Sequence, residues 1–155
     1  MKRGVEPAEA GPADIRGAAT RWLARREYAR VELERRLTRR GFPPELVDDV
    51  VSELQEENLL SDERFAESFV SAKAGRGQGP ARIRRELRER GVDGALADAA
   101  LAEADADWLA LARAVRTKRF GAAFPRDFPE RARQMRFLHY RGFTEAQIRA
   151  ALGED

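Results

Sequence analysis

The chain contains no cysteine and a single histidine in 155 residues. The first absence excludes disulfides and cysteine-ligated metal sites; the second leaves little from which to build a Ser/His/Asp triad or a histidine-ligated metal. No run of about 18 apolar residues is present, so no segment is expected to span a membrane. The opening MKRGVEPAEAGPAD starts basic but lacks the apolar stretch of a secretory signal. Residues 1–14 therefore read as a mobile tail, and the protein as soluble and cytoplasmic. No stretch alternates apolar and polar residues with a period of two, so no strand is expected. GRGQG (75–79) lacks the Lys-Ser/Thr pair of a phosphate-binding loop and reads as a flexible turn. Asp48 and Asp49 are neighbours, about 100° apart on a helix, and belong to a solvated face. His139 reads as a surface residue, and Trp22 and Trp108 as core. No enzyme and no cofactor is expected.

What the chain does have is charge. Asp, Glu, Lys and Arg make up 36% of it, beside 43% hydrophobic residues, which suffice for a core. The formal net charge is only +2, so the order of the charges says more than their sum. Segment 16–40 holds nine arginines and three acids, and 45–67 holds nine acids and one arginine. Segment 73–90 has seven Lys/Arg against Glu86 and Glu89, while 93–107 has five acids and no base. Segment 113–141 returns to nine Lys/Arg against Asp127 and Glu130. Charge runs commonly mark solvated faces, but this alternation keeps step with a repeated turn.

The turn is RRLTRRGFPPELV (35–47), echoed by RRELRERGVDGAL (84–96) and MRFLHYRGFTEAQI (135–148). In each, Gly41, Gly91 or Gly142 stands where a left-handed residue closes a helix, a conformation that costs glycine no Cβ clash. Pro44 and Pro80 suit the first turn of a helix, where the missing N–H is no loss. Apolar stripes at helical spacing precede and follow: Ile15, Ala18, Ala19, Trp22 and Leu23; Leu33 and Leu37; Val47, Val50, Val51 and Leu54. Phe65 and Phe69, then Ile83 and Leu87, then Leu96, Ala97, Ala100 and Leu101 repeat the plan. Trp108, Leu109, Ala112 and Val115, then Met135 and Leu138, begin a third round, with Phe120 and Phe124 expected to pack under the loop GAAFPRDFPE. Ser61 and Asp93 are expected helix caps, and Thr144 with Gln147 a capping box.

The glycines are 50 and 51 residues apart, a period that signals an array of small units. The expected architecture is all-α: a tail at 1–14, then three-helix repeats at 15–60, 61–107 and 108–155. Units this small must share apolar faces with their neighbours, so an elongated, curved rod is expected. On a helical wheel Leu33/Leu37 and Ile83/Leu87 face inward, and Leu138 takes the second of these places while Gln134 departs at the first. Six residues before each glycine stand Arg35, Arg85 and Arg136, roughly opposite the apolar stripe. They are the first candidates for contact with an acidic partner, with Arg82, Arg84, Arg88 and Arg133 behind them. Arg40, Arg90 and Arg141, one residue before each glycine, have a structural use in complementing a helix C-terminus.

A tight turn between short helices invites a DNA-binding helix-turn-helix reading. The helix after the turn would then enter the major groove. Here that helix is PELVDDVVSELQEEN or GALADAALAEADAD, and its carboxylates would face phosphates. Groove reading in that mode is disfavoured.

At this point RVELERRLTRRGF (30–42), NLLSDERFAESFV (58–70), GPARIRRELRERGV (79–92) and MRFLHYRGFTEAQI (135–148) carry a family resemblance. The chain resembles RecX, the regulatory family that modulates the RecA recombinase, over roughly residues 17–152. One departure is Ala29, where the resemblance leads one to expect Ser as a helix cap, at a local cost of about 1 kcal/mol. The resemblance implies tandem three-helix repeats that bind in the groove of the RecA–DNA filament and restrain strand exchange and ATP hydrolysis or promote filament loss. It implies no catalytic residue and no cofactor. The expected partners are RecA and its nucleoprotein filament, with DNA as a possible direct ligand, and the protein is expected to act as a monomer. Two other readings stay open: a sequence-independent DNA-binding protein, and a helical adaptor for another protein.

Overall fold

In the computed structural model, which describes residues 9–154, the chain forms α1 (Pro12–Leu23), α2 (Arg30–Arg39), α3 (Pro44–Glu56), α4 (Asp62–Gly75), α5 (Pro80–Glu89), α6 (Gly94–Glu103), α7 (Trp108–Phe120), α8 (Phe128–Arg141) and α9 (Glu145–Ala151). No strand occurs among the described residues. α1 begins inside the expected tail, and Ala10, just before its N-cap Gly11, is buried in the first core with Ile15. Residues 1–8 of that tail lie outside the described residues.

Helices pack in threes: α1–α3, α4–α6 and α7–α9, and every extensive helix–helix contact lies within one of these groups. The cause is three separate apolar clusters. Ile15, Leu33, Leu37, Val50, Val51 and Leu54 centre the first, and Phe65, Phe69, Ile83, Leu87 and Ala97 the second. Ala112, Leu138, Phe143, Ile148 and Leu152 centre the third. Full burial of a Leu or Ile is worth about 2 kcal/mol, so each cluster stabilises its own unit. Gly41, Gly91 and Gly142 take φ of 99°, 83° and 97°, the left-handed turn that joins the second and third helix of each unit. Pro44 and Pro80 open their helices as expected. Ser61 accepts from the Arg64 N–H at 3.2 Å, and Thr144 and Gln147 exchange bonds of 3.3 and 2.9 Å as a capping box. Asp93 stands at the N-cap of α6, but its side chain makes no capping bond.

Gln134 is explained by a second departure. It is 3% exposed and its Oε1 accepts from Arg116 Nη1 at 3.3 Å. Arg116, itself 3% exposed, also donates to the carbonyls of Ala122 and Ala123, each at 3.2 Å. In the second unit the matching helix positions are Val70 and Ile83, both buried. The third unit has replaced an aliphatic pair with a polar one that holds the loop after α7. Phe124, expected under that loop, is 55% exposed and lies 4.9 Å from the Arg116 guanidinium. Phe120 does pack, edge-on to Phe137 at 5.3 Å.

The units are joined in two different ways. Between the first and second, Asp62 accepts from the Arg30 N–H at 2.7 Å, Glu27 pairs with Arg64 at 3.0 Å, and Val31 lies under Gly91. Ala29 is fully buried and belongs to the second core, not the first. Between the second and third, backbone pairs with backbone: Gly79 N–H donates to Arg141 O at 2.8 Å and Ala81 N–H to Gly142 O at 2.9 Å. Both amides are orphan donors at the start of α5, and both carbonyls lie at the end of α8. Trp108, expected in the third core, packs half-buried against the second.

Candidate partner-binding surface

The three leading arginines sit on the solvent sides of α2, α5 and α8, because their helices present Leu33/Leu37, Ile83/Leu87 and Leu138 to the cores. Arg35 and Arg85 converge on one residue. Arg35 Nη1 reaches the carbonyl of Glu89 at 3.5 Å, and Arg85 Nε lies 3.8 Å from its carboxylate. Both contacts are long, and Arg85 keeps 67% of its side chain in solvent. Arg136 has no ion pair among the described residues and lines a depression of about 500 Å³ with Met135, His139, Tyr140, Phe143, Glu145 and Ile148. His139 is exposed, as expected, and Tyr140 is 73% exposed.

The four arginines placed behind them are engaged within the molecule. Arg84 Nε donates to Asp98 at 2.6 Å. That hydrogen bond holds the Asp98 carboxyl below its ordinary value, against an opposing desolvation. Arg133 pairs with Glu130 at 3.2 Å, and Arg88 Nη1 donates to the Val92 carbonyl at 3.3 Å. Arg82 belongs to a joint rather than to a free surface: it pairs with Glu86 at 3.2 Å and stacks 5.3 Å from the Tyr140 ring of the next unit. Its first-turn position beneath Gly142 explains the difference, since the turn of the third unit closes over it. The last-turn set has local uses too. Arg90 crosses the first joint to Glu32 at 3.9 Å, and Arg141 donates to the Arg76 carbonyl at 3.3 Å.

Sequence reasoning missed a basic and aromatic cluster on the first unit. The Arg36 guanidinium lies 4.0 Å from the Trp22 ring and also donates to the Tyr28 hydroxyl. Arg26 covers Tyr28 at 3.6 Å and pairs with Glu32 at 2.9 Å. Trp22 is half-buried, with one side on the core and the other under arginine. The interleaving of arginines with Trp22 and Tyr28 in RWLARREYARVELERR was the available signal.

Among the described residues no group of acids and histidine is placed to hold a metal, and no helix is long and apolar enough to cross a membrane. What the surface offers is repeated cationic contact.

Three family models match in tandem: "RecX, first three-helix domain" over residues 16–54, "RecX, second three-helix domain" over 61–101 and "RecX, third three-helix domain" over 105–152. The chain is 53% identical over 146 residues to the regulatory protein RecX of Halorhodospira halophila, covering 93% of this chain and 91% of that one. It is 49% identical over 132 residues to the regulatory protein RecX of Pseudomonas savastanoi pv. phaseolicola, covering 85% of each. The crystal structure of RecX from Lactobacillus salivarius superposes with a TM-score of 0.77 at 19% identity, over 92% of this chain and 94% of that one, which shows the common fold. With three matched domains in chain order and close relatives over nearly its whole length, the chain belongs to the RecX family of regulatory proteins.

Proposed function

We propose that this protein regulates a RecA-type recombinase by laying its arginine-bearing second helices along the recombinase–DNA filament, restraining ATP hydrolysis and strand exchange in DNA repair and the SOS response. It does so as a cytoplasmic monomer with no catalytic activity of its own. The observation that carries this reading is the recurrence of Arg35, Arg85 and Arg136 at one place in each unit, all exposed and none held by a short ion pair among the described residues. A filament is a periodic partner. Contacts repeated along a linked array reinforce one another through effective concentration, so three weak grips make a strong one.

The test is inhibition of recombinase ATPase on single-stranded DNA. Replacing Arg35, Arg85 and Arg136 together by Glu should weaken inhibition at least about tenfold, while helical circular dichroism stays intact, since exposed substitutions cost little stability. Added salt should weaken the wild type in the same direction. A folded triple variant that inhibits at wild-type concentrations would remove these arginines from the contact.

A further inference from the structure

The first and third units concentrate cations at an equivalent place, where the ends of their first and second helices meet. In the first unit Arg21, Arg25, Arg26 and Arg36 surround Trp22 and Tyr28 in a depression of about 390 Å³. In the third, Lys118 and Arg119 of α7 and Arg141 of α8 line a groove of about 500 Å³, and Arg76 joins them from the second unit. The middle unit cancels its own charge there. Five residues before its turn glycine, where the other units have Arg36 and Phe137, stands Glu86, 3.8 Å from Lys73 and 3.2 Å from Arg82.

Helix ends alone do not account for the groove at the second joint. The C-termini of α4, α7 and α8 meet there, each equivalent to roughly half a negative charge, or about −1.5 together. Four side chains, Arg76, Lys118, Arg119 and Arg141, bring one positive charge each. None of them is ion-paired among the described residues. An excess of roughly two to three positive charges remains, gathered around one concavity.

We infer that this groove is a phosphodiester site for a single nucleic-acid strand, and that a strand lying in it clamps the second unit to the third. A flexible strand can bring consecutive phosphates to cations set around one groove, whereas a stiff duplex presents them along a ridge. The Phe137 ring is already covered by Arg119 at 5.7 Å and Arg141 at 5.3 Å, so the grip is on the backbone and carries no base preference. The clamp follows from ownership: Arg76 belongs to one unit and the other three cations to the next. A bound phosphate relieves their mutual repulsion only when the joint is closed, so binding stabilises the Gly79–Arg141 and Ala81–Gly142 backbone pairs directly beside it. The inference does not depend on the recombinase reading, and its test contains no recombinase.

The experiment compares a labelled oligothymidylate with a duplex of equal length, using fluorescence anisotropy on the whole chain. The strand should bind more tightly than the duplex. Lys118→Glu with Arg119→Glu should weaken strand binding at least about tenfold and flatten the slope of log K against log salt by about 1.4, about 0.7 for each lost phosphate contact. A charge-matched control, Arg113→Glu with Arg126→Glu, both exposed and outside the groove, should change affinity by less than about threefold. If the Glu pair disturbs folding, Lys118→Gln with Arg119→Gln is measured instead. Hydrogen exchange at the Gly79 and Ala81 amides should slow when strand is added to the wild type. Equal losses in the groove and control variants, or tighter binding of duplex, would overturn the site. Strand binding with unchanged exchange at Gly79 and Ala81 would overturn the clamp.

Discussion

The carboxylate of Asp62 accepts a hydrogen bond of 2.7 Å from the backbone N–H of Arg30, a residue 32 positions earlier. Asp62 begins α4 in the second unit, and Arg30 begins α2 in the first. The cap that Ala29 cannot supply is delivered from the neighbouring unit, and Ala29 is left free to fill the second core. Replacing Asp62 by Ala should cost about 1–2 kcal/mol, the ordinary worth of an N-cap, while Asp62→Asn should keep most of the stability. Ala29→Ser should recover part of the loss in the Asp62→Ala background and gain little in the wild type. Denaturant unfolding of the four chains measures this. A wild type that gains as much from Ala29→Ser as the Asp62→Ala variant does would show that Asp62 is not the cap.

Removing the third unit should weaken the second. Cutting the chain after Asp107 takes away Trp108 from the second core and the carbonyl partners of Gly79 and Ala81. Those two amides then open to water, and the edge of the second core is exposed. Thermal melting should show a lower midpoint for the fragment than for the whole chain. An unchanged midpoint would make the third unit an independent domain.

The Arg116–Gln134 pair predicts strongly non-additive losses between single and double substitutions. Gln134→Leu alone deprives a buried guanidinium of an acceptor and should destabilise by about 1–3 kcal/mol. Arg116→Val with Gln134→Leu restores the aliphatic pair seen as Val70 and Ile83 in the second unit, and should lose much less than the sum of the singles. The double-mutant cycle reads the coupling directly. Additive losses would mean that the two side chains act separately.

Two glycines of positive φ separate backbone strain from steric contact. Gly121 has φ of 87° with open space where a Cβ would stand, so Gly121→Ala should cost only the strain, about 1–3 kcal/mol. Gly142 has φ of 97°, and a Cβ there would meet the Cβ of Arg82 at 2.2 Å. Gly142→Ala should cost clearly more and should loosen the second joint, read as faster exchange at Ala81. Equal costs at the two positions would leave no role for the contact.

Acid should test the outer ion pairs. Arg84 holds Asp98 down by a hydrogen bond, and Arg131 does the same to Glu154 through bonds of 2.5 and 2.7 Å. A carboxylate with a folded-state pKa below its unfolded value adds stability above the unfolded value and loses it as pH falls through the folded one. The unfolded values are about 3.9 and 4.3. Asp98→Asn with Glu154→Gln should therefore melt below the wild type at neutral pH, and the gap should close as pH drops below about 4. A gap that persists in strong acid would assign the loss to packing.

Local chemistry made the helices legible. A glycine at C′, a proline at N1 and an apolar stripe at helical spacing act within one or two turns, so each turn could be placed from a dozen residues. The outward direction of Arg35, Arg85 and Arg136 followed from the same wheel, since Leu37, Leu87 and Leu138 define the opposite side. What was not legible is long-range. Arg84 is held by a residue 14 positions away, and Arg82, beyond its local pair with Glu86, reaches one 58 positions away that no neighbour in sequence announces. Trp108 was misplaced for the same reason: its spacing fits α7, but the surface it covers belongs to the unit before. The polar pair at Arg116 and Gln134 showed only its second half, as a break in a pattern.

The backbone pairing at Gly79 and Ala81 has a consequence for how the array tolerates change. A joint made from N–H and C=O groups depends chiefly on where the chain runs, with Trp108 and the Arg82–Tyr140 stack among its side-chain contacts. The first joint depends on identities instead, on Asp62 for Arg30 and on Val31 beneath Gly91. The three units are therefore not interchangeable beads. Each of the two joints has a socket and a plug of its own kind, and a chain with its units reordered would have the right helices and no way to dock them.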